Sequence, residues 1–251
     1  MIIIHGSGLL KHIRVGGRAL NLKHFEVVHC FSMESIHICD FDLVSFTFHG
    51  RPIDLRLRNL TKLRELNLGH QFVLENNVLG QISAFASSLI ILSFRIYSPK
   101  NDFRPDPLPE LPNVKKLTLT VGAHKDDYLR GFASIANACP NLETFTIEVL
   151  WYSPFRRRRE ARNVATRHPH QHLKLLQFLG YYGRISDFEL AAYIIKNAVS
   201  LKKVVIDPCC QAWMESQICD EFFIKQERIA RSCIQRQLVP IMPRGVDLVL
   251  L

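Results

Sequence analysis

The sequence lacks most features that fix a function at first sight. It has no Gly-x-Ser-x-Gly, no phosphate-binding loop, no His-Glu-x-x-His and no ordered set of acids around a pocket signal. That excludes the common hydrolase, nucleotide-binding and zinc-protease patterns, so an enzyme is not expected. No apolar run approaches the roughly 18 residues of a membrane span. The start "MIIIHGSGLL" lacks a basic leader and a long apolar stretch, which makes it a poor secretory signal. The seven cysteines (Cys30, Cys39, Cys139, Cys209, Cys210, Cys219 and Cys233) form no Cys-x-x-Cys pair, and their number is odd. This pattern fits reduced thiols in a cytoplasmic or nuclear protein, where the sequon Asn59-Leu60-Thr61 carries no glycan. Acidic residues are scarce, 23 against 32 Lys and Arg, for a net charge of +9. The excess is local: Phe155 to Arg167 holds six Arg against one Glu.

The chain does have a repeat. Its 251 residues, 47% hydrophobic and 22% charged, can bury a core without disulfide staples. The pattern apolar-x-x-apolar-x-apolar recurs eleven times, with first positions at 10, 22, 33, 43, 52, 63, 89, 114, 142, 173 and 201. Successive gaps are 12, 11, 10, 9 and 11, then 26, 25, 28, 31 and 28. The last two apolar positions of a unit lie two apart, as on one face of a strand. The longer gaps match the roughly 20–29 residues of a leucine-rich repeat with room for a return segment. The gaps near ten leave room for strand and turn only, and read as truncated units or local antiparallel hairpins. A β-sandwich accounts for the first 70 residues but not for the spacing that follows.

The returns agree with an α/β leucine-rich-repeat solenoid, a curved and mostly parallel sheet of about nine to eleven strands with irregular or helical returns. "DDYLRGFASIANACPNLE" puts Tyr128, Phe132, Ile135 and Cys139 on one helical face, with Pro140 ending the helix. "ISDFELAAYIIKNAVSLK" opens with Ser186-x-x-Glu189, which reads as a capping box. "SPKNDFRPDPLPELPN" contains five prolines and reads as an irregular return. In the tail, Ile218, Phe222, Ile229, Cys233 and Leu238 gather towards one helical side, and "VDLVLL" alternates like a last strand. The expected organisation is a repeat region over 1–208 and a C-terminal helix–strand cap over 209–251, as solenoids need capped ends. Phe222 and Ile229 are expected to pack near Leu201, and Leu117, Leu119, Phe145, Ile147, Leu176, Phe178, Val204 and Ile206 to be buried behind the sheet.

These units carry a resemblance. "LKHFEVVHCFSMESIHICDFDLVSFTFHGRPIDLRLRNLTKLRELNLG" resembles the leucine-rich region of plant F-box proteins. "ACPNLETFTIEV" and "HPHQHLKLLQFLGYYGRISDFELAAYIIKNAVSLKKVVIDP" resemble their C-terminal FBD-type segment, which would make 165–208 FBD-like final units. In that family an N-terminal F-box docks on a ubiquitin-ligase adaptor and the repeats hold the target. The resemblance therefore implies substrate recognition in an SCF-type ligase. Only nine residues precede the first repeat, fewer than an F-box of about forty, so adaptor binding is expected only if an F-box is supplied elsewhere. A ligase-independent interaction scaffold is the alternative.

The stretch "SPFRRRREARNVATRHPHQH" has three readings: a solvated connection, a nuclear address, or a nucleic-acid contact without an aromatic platform. Solvated connection is the reading adopted, and nucleic acid and membrane are not expected partners. His168, His170 and His172 have no Cys or carboxylate nearby to complete a metal site, so no metal or other cofactor is expected. Cys209-Cys210 has no partner at a motif spacing, and Gly180-Tyr181-Tyr182-Gly183 reads as a turn.

Function is expected at the third, fifth and seventh positions of the units, which face away from the core. They include Arg56, Arg58, Glu65, Asn67, Arg95, Lys116, Thr118, Thr144, Thr146, Glu148 and Gln177. Mixed charge and hydroxyls on a concave open sheet suit a protein target.

Overall fold

A computed structural model describes residues 1–17, 21–69, 82–97, 109–123, 129–151, 169–208 and 221–251. Among them lie thirteen strands: β1 (Ile2–His5), β2 (His12–Gly16), β3 (His24–Val28), β4 (Ser35–Cys39), β5 (Ser45–His49), β6 (Asp54–Arg58), β7 (Glu65–Gly69), β8 (Ile91–Ile96), β9 (Lys116–Ala123), β10 (Thr144–Trp151), β11 (Leu175–Leu179), β12 (Lys203–Asp207) and β13 (Asp247–Leu250). Every strand pairing is parallel. β2 to β12 each begin two residues after the leading position of one of the eleven units.

The strands form two sheets. One has ten strands in the order β1-β3-β5-β7-β8-β9-β10-β11-β12-β13, and the other has three in the order β2-β4-β6. This corrects the reading of the short gaps. They are neither antiparallel hairpins nor truncated units: successive strands alternate between two parallel sheets, so two units make one coil. Leu22 to Leu43 is 21 residues and Leu43 to Leu63 is 20, each a full circuit back to the same sheet. From β7 onwards the units lie 25 to 31 residues apart, and no strand of the second sheet follows them among the described residues. The array is an α/β leucine-rich-repeat solenoid.

Local chemistry turns the corners. Gly6, Gly17, His29, Asp40, Asn59 and Gly180 each follow a strand directly and have positive φ, between 53° and 123°. Gly reaches this region freely, and Asn, Asp and His tolerate it better than other side chains do. The backbone N–H of Gly6, His29 and Asp40 then donates to the carbonyl of Val28, His49 and Arg58, the last strand residue of the next coil. Asn59 Nδ2 donates to Asp40 Oδ1 at 2.7 Å, which links two such corners.

The core is built in rows. Phe25, Phe46, Leu66, Leu92, Leu117, Phe145, Leu176 and Val204 are in register from strand to strand. So are Val27, Phe48, Leu68, Phe94, Leu119, Ile147, Phe178 and Ile206, and both rows are buried. Ile36, Ile38, Leu55 and Leu57 of the three-stranded sheet complete the same cluster. Burying each large side chain contributes about 1.5–3 kcal/mol, so an in-register row is the main stabilising unit.

The helical returns cover the core of the later coils. A 3₁₀ turn at Leu129–Phe132 leads into α1 (Ala133–Asn137), and α2 is Ile185–Asn197. Phe132, Ile135 and Cys139 are buried as their spacing predicts, and Tyr128 lies outside the described residues. The two returns are joined by Asn137 Nδ2, which donates to Tyr193 Oη at 2.9 Å. The predicted capping box is displaced by two positions, to Arg184 and Asp187. Asp187, not the Ser186–Glu189 pair, accepts the backbone N–H of Tyr182 and Arg184, at 3.0 and 2.9 Å. Ser186 and Glu189 are buried instead.

The Gly180–Gly183 segment is a turn, and both glycines are required by space. A Cβ on Gly180 would sit 2.2 Å from the Val149 carbonyl oxygen, and one on Gly183 2.6 Å from Cys233 Cβ. That second contact places α3 (Glu221–Gln237) against the turn, with Tyr181 Oη donating to Gln237 Oε1 at 2.8 Å. Ala230, Cys233, Ile234 and Leu238 are the buried residues here, while Ile229 is half-buried. The helix thus packs on the 180–183 turn. Ile218 and the Phe222 side chain lie outside the described residues. β13 joins β12 and forms one edge of the large sheet. No helix among the described residues is long and apolar enough to cross a membrane.

Candidate partner-binding face

The outward face of the ten-stranded sheet carries nine of the eleven residues singled out from the sequence. Glu65, Lys116 and Thr144 share one cross-strand row, with Ile91 and Leu175 between or beside them. Asn67, Thr118, Thr146 and Gln177 share the next row, and Arg95 and Glu148 a third, with Gly69 and Thr120. Arg56 and Arg58 do not belong to this surface. They lie on β6 of the three-stranded sheet, because alternation sends the unit at position 52 across the core. There Arg56 Nε donates to Asp54 Oδ1 at 3.0 Å, while His37 Nε2 lies 3.1 Å from Asp54 Oδ2. These two contacts hold the Asp54 carboxyl below its ordinary value.

The middle of the face is tied to itself. Thr146 Oγ1 donates to Gln177 Oε1 at 2.9 Å, and Thr120 Oγ1 to Glu148 Oε2 at 3.0 Å. Glu65, Arg95 and Lys116 have no ion-pair partner among the described residues. Sequence reasoning missed the apolar part of the face. Leu175, Leu179 and Val205 also point outward, the first two half-buried. Their signal was present in "LKLLQFLG" and "KKVVIDP", where apolar residues occupy both alternating sets.

A pocket of about 250 Å³ opens where β3, β5, β7 and β8 end, lined by His29, Phe31, His49, Arg51, Arg95 and Tyr97. His49 Nε2 lies 3.0 Å from Asn67 Oδ1, so the imidazole donates to an oxygen that can only accept. Burial lowers the His49 pKa, and the bond to Asn67 opposes that shift. The ring has room because its neighbour is Gly69, where a Cβ would meet it at 2.6 Å. A more open depression of about 520 Å³ includes Lys62, Arg64 and Lys115. Its lysines are already paired, Lys62 with Asp42 and Lys115 with Glu143.

Other candidates from the sequence separate. His170 is buried and His172 exposed, so the two do not converge, and His168 lies outside the described residues. The arginine run and Cys209-Cys210 also lie outside them. Among the described residues Cys30, Cys39, Cys139 and Cys233 are free thiols, and burial pushes Cys139 up to about 12.

Comparison with known proteins places this architecture. A putative F-box/FBD/LRR-repeat protein of Arabidopsis thaliana, At5g22610, is 29% identical over 107 residues. The match takes in 41% of this chain, and the chain spans about a fifth (21%) of that relative's length. No solved structure matches the chain. The family described as "At1g61320/AtMIF1, LRR domain" matches residues 9–251. With nearly its whole length so matched, the chain belongs to the At1g61320/AtMIF1 leucine-rich-repeat domain family.

Proposed function

We propose that this chain is a protein-interaction module that holds a protein target on the concave, outward face of its ten-stranded sheet, without catalysing a reaction on it. The observation that carries this is the face itself. It is continuous across ten parallel strands, and it presents Glu65, Arg95 and Lys116 without ionic partners among the described residues, beside half-buried Leu175 and Leu179. Mixed apolar and charged character is what a non-obligate interface presents. Some surface cations elsewhere are neutralised by neighbours, as Lys11 is by Glu34 and Lys174 by Glu143.

The relative's name, putative F-box/FBD/LRR-repeat protein, supports a more specific role: substrate recognition in an SCF-type ubiquitin ligase. In that role an F-box, supplied with the repeats or by another chain, reaches the adaptor, while the sheet holds the target. A ligase-independent scaffold would use the same face. Affinity purification of the native gene product from tissue, scored for adaptor and cullin subunits, separates the two. Stoichiometric recovery of both subunits supports the ligase role, and a target recovered without them leaves the scaffold.

A further inference from the structure

We infer that the pocket of His29, Phe31, His49, Arg51, Arg95 and Tyr97 recognises a phosphomonoester on a phosphorylated side chain of the partner. This deepens the partner-binding reading and rests on it for the source of the phosphate. The pocket is continuous with the outward face, since Arg95 belongs to both.

Size is the first argument. At about 250 Å³ the pocket falls below the range of about 300–1,000 Å³ typical of small-molecule sites. One side chain fills it. Charge is the second. Arg51 and Arg95 are exposed and have no ion-pair partner among the described residues, and two imidazoles lie beside them. Among the described residues, Glu26 is the acid whose charge acts on His49, and it is engaged by His5 at 2.7 Å. Two guanidiniums provide more positive charge than a single carboxylate balances, and guanidinium forks suit phosphate oxygens. Shape is the third. Phe31 and Tyr97 supply apolar wall for the stem of the phosphorylated side chain, and Gly69 leaves the space beside it to the His49 ring, which a Cβ would meet at 2.6 Å.

The test uses the full chain with the histidine ring resonances as the readout. N-acetylphosphoserine amide is titrated in parallel with N-acetylaspartate amide and inorganic phosphate. The expected result is a saturable shift of the His29 and His49 signals by the phosphoserine probe. The aspartate probe should bind about tenfold more weakly or worse, because charge-assisted contacts are lost. The double substitution Arg51→Gln/Arg95→Gln should weaken the phosphoserine probe by about tenfold or more with melting temperature unchanged, since both residues are on the surface. No saturable shift, or equal affinity in the double variant, overturns the site. Inorganic phosphate binding more tightly than the phosphoserine probe overturns the side-chain source. The partner-binding reading is tested apart from this by Lys116→Glu, outside the pocket, which should lower target affinity while leaving phosphoserine binding intact.

Discussion

The guanidinium carbon of Arg184 lies 4.0 Å from the centroid of the Trp151 ring, and both residues are almost wholly buried. Tyr182 stands on the same cation, with its ring centroid at 5.4 Å, and Asp187 accepts the Arg184 backbone N–H. A buried cation held between aromatic faces gains more than a solvated one. Arg184→Lys should cost about 1–2 kcal/mol, because a lysine cannot stack as a plane. Arg184→Ala should cost about 3 kcal/mol or more, through both the cavity and the lost contacts. Urea midpoints of the two variants check the order.

Two glycines with similar backbone angles should respond differently to alanine. Gly180 has φ +75° and no space for a Cβ, whereas Gly245 has φ +79° and nothing within 4 Å. Gly245→Ala should lose about 1–2 kcal/mol, the cost of a left-handed L-residue. Gly180→Ala should lose more, because the Val149 carbonyl must also move. Equal losses in thermal melts would mean that the turn relaxes freely.

Acid should expose one surface network. Glu143 is bonded to Lys174 and Lys115, and these two lysines hold its carboxyl at about 2. A folded-state pKa below the ordinary carboxylate value stabilises the fold above that ordinary value. The contribution is lost as pH falls from near 4.5 towards 2. Glu143→Gln should therefore be less stable than the parent at neutral pH, with the difference shrinking through that window and with added salt. A difference that does not change with pH would assign the effect to packing.

Charge reversal should divide the two sheets. Arg95→Glu with Lys116→Glu should slow association with the target and alter its salt dependence, since surface charges chiefly steer encounter. Arg56→Glu on the other sheet should leave association unchanged. Surface plasmon resonance at two ionic strengths measures both.

Much of the array is legible in the sequence. All eleven units become strands, and leading residues such as Leu43, Leu63, Val114 and Leu142 are buried. The second sheet was not legible in single gaps, because a strand's period of two is the same in either sheet. It becomes readable when two gaps are added, and when Gly6, Gly17, His29, Asp40 and Asn59 are seen to recur directly after strands. Ser186 offers the more familiar capping hydroxyl, yet the chain enters the helix two residues earlier, with Arg184 at the cap and Ile185 as the first helical residue. The Arg184 cluster gave no pattern at all. Its members come from a strand end, a turn and a helix start, and only the fold brings them together.

Alternation between sheets also fixes how the molecule can vary in length. In the first three coils successive units are only 9 to 12 residues apart, so each circuit has a set circumference. A one-residue deletion within a strand there turns every following side chain of that strand to the wrong face. From β7 onwards the returns lengthen the circuit to between 25 and 31 residues without disturbing strand register. Insertions and tags should be tolerated in those later returns and rejected before Gly69. Natural variants of this chain should differ in length on one side of that residue and almost only in side chains on the other.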